Sequence, residues 1–196
     1  MGTGRLEAFS DGVLAIIITI MVLELKVPHG HEFADLRPLW PKIISYVLSF
    51  VFIGIYWGNH HHMLHVAKRV NGAILWGNLH LLFWLSLVPV VTAWMGESGF
   101  AARPVAVYGV VLLLAGIAYY ILSRALIREH GPESVLATAV GGDFKGLLSV
   151  LVYALAIGLS FVAPWLSVVC YAGVAIMWLV PDRRIARIVA AHARGE

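Results

Sequence analysis

Apolar residues run along this chain in six blocks parted by short polar patches: Phe9 to Val27, Leu39 to Met63, Ala73 to Met95, Val105 to Ile127, Gly146 to Ala163 and Trp165 to Val180. Runs near 20 apolar residues are the length a helix needs to cross a bilayer. From Gly146 to Val180 the chain is uncharged for 35 residues. As one helix this would reach about 52 Å, longer than any bilayer core, so the stretch predicts two helices. The break falls at Ala163-Pro164-Trp165, because proline lacks an N–H and disfavours helix at the residue before it. The pattern predicts an all-α polytopic membrane protein, a single domain over 1–196 with six transmembrane helices and no separate soluble part.

The first block carries a conflict. Only twelve uncharged residues lie between Asp11 and Glu24, about 18 Å of helix against a hydrocarbon core of about 30 Å. At least one carboxylate is therefore drawn into or against the hydrocarbon, at a cost of roughly 2.5 kcal/mol or more. Asp11 needs donors.

Composition agrees with the pattern: 60% of the residues are hydrophobic and 13% charged, which excludes an ordinary soluble domain. The formal net charge of +3 raises nucleic-acid binding, and the placement of the charges answers it. With the N-terminus inside, Arg5, Lys68, Arg69, Arg124, Arg128, Lys145, Arg183, Arg184, Arg187 and Arg194 are cytoplasmic, while Lys26, Arg37, Lys42 and Arg103 are outside. Ten against four predicts both termini in the cytoplasm, and no nucleic-acid partner. The tail "DRRIARIVAAHARGE" fits either a helix on anionic head groups or a solvated basic end. The start "MGTGRLEAFSDG" has no basic n-region, short apolar core or cleavage site of a signal peptide, so the first helix is expected to stay. Cys170, mid-block and alone, offers no disulfide and reads as packing.

This topology brings distant polar residues to one height. Ser10 and Asp11 lie near the cytoplasmic end of the first helix. The second helix returns there with "YWGNHHHMLH", and the third leaves from there with "LWGNLH". Ser10, Asp11, Trp57, Asn59, His60, His61, Trp76, Asn78 and His80 then share a layer in which indole, amide and imidazole can satisfy a carboxylate without a second net charge. Three other roles compete: a haem or metal site built on the histidines, of which His61 and His65 have i, i+4 spacing; a proton relay in a transporter; and plain helix-to-helix adhesion. No Glu-x-x-His or Cys accompanies the histidines, so no metal or cofactor is expected. Gly-x-Ser-x-Gly and His-Glu-x-x-His are absent, so no catalytic site is expected either.

On the first helix Ile16, Thr19, Ile20 and Leu23 are spaced i, i+3, i+4, i+7, one stripe of an α-helix. No internal duplication or pair of broken helices marks a transporter, which favours a pore formed between subunits. Rings of Ile16, Ile20 and Leu23 about an axis could gate by dewetting. Lipid or core packing is the alternative for the same stripe.

"RLEAFSDG" resembles the Arg-x-x-x-Phe-Ser-Asp signature of the transmembrane protein 175 family of endolysosomal potassium channels and their prokaryotic relatives. The likeness continues through "ITIMVLELKVP", "YWGNHHHML" and "LWGNLHLLFWLSLVPVVTAWMGE"; the second half agrees only in hydropathy and length. Val90 after Pro89, where the family more often has Phe, and the extra His62 are departures. The resemblance implies a passive, potassium-favouring cation channel in a prokaryotic plasma membrane. It implies a homotetramer in the lipid bilayer whose first helix lines a pore on the symmetry axis, with potassium and other monovalent cations as permeant ions. The constriction would map onto Ile16, Ile20 and Leu23, with Thr19 a polar layer. Arg5, Phe9, Ser10 and Asp11 would map onto the signature, with Asp11 the expected hub of a buried network to Trp and His on the next two helices. The Thr-Val-Gly-Tyr-Gly filter is absent from the sequence.

Overall fold

The structure is a computed structural model that describes residues 2–28, 30–134, 137 and 144–179. The basic tail, with both readings proposed for it, lies outside the described residues. Helix α1 runs Thr3–Leu23 and α2 Trp40–His65, with a short 3₁₀ helix, Phe33–Leu39, between them. Helices α3, Gly72–Ser86, and α4, Val88–Glu97, follow, then α5, Ala102–His130. Helices α6, Phe144–Leu159, and α7, Pro164–Leu179, end the described chain. All described regular structure is helical. Four helical stretches are long and apolar enough to cross a membrane, and α6 and α7 are shorter apolar helices. The chain is a multi-pass membrane protein.

The last uncharged stretch divides as predicted: α6 stops at Leu159 and Pro164 opens α7, where its missing N–H costs nothing. The first block is shifted. Its helix starts six residues before Phe9, because Thr3 to Ala8 contain no breaker after Gly4 and hydropathy marks only the immersed part of a helix. Leu6, Ser10, Leu14, Ile17 and Met21 are buried, spaced four, four, three and four, so one packing stripe spans the polar and the apolar turns alike. The helix ends at Leu23, ahead of Pro28, which disfavours helix in the residue preceding it.

The third block, expected as one helix, is two. Pro89 has no N–H for the ladder, and Leu87 N–H turns to the carbonyl of Trp84 at 3.2 Å. The chain therefore bends between α3 and α4 without leaving its crossing.

Helix α1 lies against α2, α3 and α4, while α5 packs on α3, α4 and α6, and α7 closes on α6, α5 and α2. Buried hydroxyls are satisfied by backbone carbonyls, as an apolar solvent demands: Ser45 donates to Pro41 O at 2.8 Å and Thr92 to Val88 O at 2.6 Å within their own helices, and Ser167 of α7 to Ala156 O of α6 at 2.7 Å. Ser49 joins α2 to α4 and α5 through Thr92 and Tyr108, at 2.6 and 3.0 Å.

Candidate pore helix and its polar seam

Helix α1 has two faces. Ile17 is 4% exposed and Leu14 and Met21 are 2% exposed, against 59% for Ile16, 44% for Ile20 and 80% for Leu23. Thr19 is exposed too, and its hydroxyl donates to Ile16 O at 2.9 Å. Neighbouring positions on a helix are about 100° apart, so burying Ile17 turns Ile16 away from the protein. The stripe Ile16, Thr19, Ile20, Leu23 lies on a face of α1 turned away from the other described helices.

The opposite face is pinned by polar contacts. At its centre Asn78 of α3 donates through Nδ2 to Ser10 Oγ at 3.0 Å and accepts on Oδ1 from His60 Nε2 of α2 at 2.6 Å. Ser10 in turn donates to Leu6 O at 2.8 Å. Ser10, Asn78 and His60 are all within 1% of complete burial. Since Asn78 Oδ1 can only accept, a neutral His60 carries its proton on Nε2. The buried Nδ1 then has no partner among the described residues.

Two further rungs join α1 to α2 nearer the edge. Trp57 Nε1 donates to Asp11 Oδ1 at 3.0 Å, and His61 Nδ1 meets Glu7 Oε1 at 2.7 Å. Glu7 and Asp11 are four residues apart, as are Trp57 and His61, and the two helices run in opposite directions. The pairs therefore match like steps of a ladder. The Trp57 and His61 rings stack at 6.3 Å, and His61 on His65 at 5.9 Å.

This arrangement corrects the expected layer. Asp11 is only partly buried and holds one rung; the buried hub is Asn78 with Ser10 and His60. Asn59 does not join, because its Nδ2 donates to Ile55 O of its own helix at 2.9 Å. His80 accepts from Trp84 Nε1 four residues on, at 2.9 Å. Trp76 is 73% exposed and Phe9 53%, and Arg5 is exposed as well, so all three stand outside the seam. Glu7 was missed, although its i, i+4 relation to Asp11 was the signal for it. No group of three or more His, Cys, Asp or Glu gathers as a metal site among the described residues.

The family model for the endosomal/lysosomal potassium channel TMEM175 matches residues 5–89, the segment that holds every seam residue and the exposed stripe. A potassium channel of Chryseobacterium sp. (strain P1-3) is 55% identical over 185 residues, 94% of this chain and 96% of its own length. The chain belongs to the TMEM175 family. A crystal structure of a lysosomal potassium-selective channel TMEM175 homolog from Chamaesiphon minutus has the same fold. It superposes with a TM-score of 0.76 at 32% identity, covering 91% of this chain and 96% of that one. The human endosomal/lysosomal proton channel TMEM175 is 34% identical over 113 residues, half of this chain (51%) but only 22% of the human protein. The three helices that build the seam fall almost wholly within the segment that the family model matches.

Proposed function

We propose that this chain is a passive, potassium-favouring cation channel, a homotetramer in which four copies of α1 surround the axis. The observation that carries this reading is the division of α1 into a pinned, buried face and an uncovered stripe of Ile16, Thr19, Ile20 and Leu23. Rings of Ile16, Ile20 and Leu23 exclude water when the helices close and pass ions when they part. Thr19 spends its proton on Ile16 O, so its oxygen lone pairs remain for a cation. Potassium is the permeant ion, not a cofactor. The excess of Lys and Arg at one end supports a cytoplasmic location for both termini in a prokaryotic cell, and the names of the Chryseobacterium and Chamaesiphon relatives agree with potassium as the cargo.

A proton-coupled transporter that uses Asp11 and the histidines as a relay fits the seam less well. The hydrogen bonds run from His60 through an amide to Ser10 and stop at the carbonyl of Leu6; an amide does not pass protons readily and a carbonyl ends the path. The seam also lies on the face of α1 away from the stripe. Single-channel recording in a planar bilayer under a potassium gradient tests the proposal. Unitary steps that reverse near the potassium potential are expected, unmoved by an added proton gradient. Stoichiometric coupled uptake without unitary steps overturns it.

A further inference from the structure

A cavity of about 460 Å³ lies among α2, α5, α6 and α7, within the range of ligand pockets, about 300–1,000 Å³. It uses the stripe Phe52, Ile55, Tyr56 and Asn59 of α2, a different face from the one that Trp57 and His61 turn to α1 and His60 to α3. Its chemistry is graded along the helices. The inner end is closed by Phe52 and Tyr153, 2% and 3% exposed. The hydroxyl of Ser149 lies on the wall but is already engaged, accepting from Trp178 Nε1 at 2.9 Å and donating to Lys145 O at 2.7 Å. The outer end carries Arg124, exposed and the one charged side chain among the described residues of the lining. The Lys145 ammonium stands beside this end, 5.9 Å from the centre of the Trp178 ring and bonded to Met177 O at 3.2 Å. Among the described residues the lining contains no carboxylate.

An occupant must therefore be apolar along its body and anionic at one end. Its route is lateral: Tyr120 and Leu147 line the cavity and are also 49% and 62% exposed, so the opening faces the surface that a bilayer covers. We propose that the cavity seats one acyl chain of an anionic phospholipid, with the phosphate held by Arg124 at the membrane surface. A planar guanidinium binds phosphate oxygens in pairs, and the inner leaflet supplies such lipids at the end where Lys and Arg gather. Because Tyr56 and Asn59 alternate on α2 with the residues that grip α1, an occupied seat braces α2 from behind.

Native mass spectrometry of the full-length protein, titrated with phosphatidylglycerol or phosphatidylcholine of matched chains, tests this without reference to conduction. Wild type is expected to prefer phosphatidylglycerol by about tenfold, the worth of one charge-assisted contact. Arg124→Gln is expected to remove that preference, while Lys68→Gln, a basic residue at the same membrane end but outside the cavity, leaves it unchanged. Gly116→Leu is expected to weaken both lipids, since a Cβ there meets nothing nearer than the Tyr56 hydroxyl at 3.8 Å and the added side chain fills the void. Equal losses in Arg124→Gln and Lys68→Gln overturn the proposal in favour of diffuse surface charge. Equal affinity of wild type for the two lipids, or no effect of a folded Gly116→Leu, overturns it in favour of annular lipid or of a cavity filled by the chain's own segments. Should Gly116→Leu fail to fold, Arg124→Gln, on an exposed side chain, decides alone.

Discussion

Asn78 and Ser10 stand 68 positions apart in the sequence and 3.0 Å apart in the protein, both without solvent exposure. One amide thereby ties α1, α2 and α3 together, because the same side chain also takes the bond from His60. An uncharged hub suits the hydrocarbon better than a carboxylate: Asn offers donor and acceptor at once, with no ion to desolvate.

Replacing Asn78 by Leu keeps the volume and leaves His60 Nε2 with no acceptor, which should cost about 1–3 kcal/mol. Asp11→Asn retains a carbonyl oxygen for the Trp57 indole and should cost no more than about 1 kcal/mol. Thermal melting and the fraction of intact oligomer in detergent measure both. A larger loss in Asp11→Asn would return the carboxylate to the centre of the seam.

The all-helical, multi-pass architecture and the break before Pro164 were legible, since length and proline act locally. The bend at Leu87 was not, because Pro89 can sit inside a crossing or end one, and only packing against α1, α2 and α5 decides. The stripe of α1 was legible from spacing, and the burial of Ile17 agrees with its register. Membership of the seam was less so. Shared height put Asn59, Trp76 and His80 beside Asn78, but helix rotation separates them: Asn59 and His80 turn to partners on their own helices. Glu7 escaped notice because it lay outside the apolar block, where helix was not expected.

Close approach of α4 to α2 gives a second test. A Cβ at Gly96 would lie 2.8 Å from Lys42 Cα, a backbone atom that cannot swing aside, whereas at Gly54 it meets nothing within 4 Å. Gly96→Ala should therefore destabilise by about 1–3 kcal/mol. Gly54→Ala should stabilise by about 0.5–1 kcal/mol through helix propensity. Melting temperatures of the two variants check the pair, and a loss at Gly54 would mark that spot as a contact between subunits.

Thr19 gives a third. Thr19→Val keeps the shape and removes the oxygen that faces the proposed pore, while the bond it loses is to its own helix. Stability should hardly change. Conductance should fall roughly fivefold, the equivalent of about 1 kcal/mol at one polar layer. Unchanged unitary current in a correctly assembled variant would remove Thr19 from the ion path.

Ile16 and Ile17 separate a constriction from ordinary packing most sharply. They are neighbours in sequence, about 100° apart on the helix, and 59% against 4% exposed. If four Ile16 side chains meet at an axis, Ile16→Asn puts amides at the narrowest ring, where an ion then finds partial hydration. Conductance should rise and discrimination between potassium and sodium should fall, both read from unitary current and reversal potential. Ile17→Asn instead buries an amide among Leu14, Met21 and their neighbours with no partner, at about 1–3 kcal/mol, and should lower the yield of assembled protein without altering permeation. Leak through Ile17→Asn with mere misfolding of Ile16→Asn would rotate the pore face by one residue. Unaltered permeation in both would take α1 away from the pore altogether, leaving its exposed stripe to lipid.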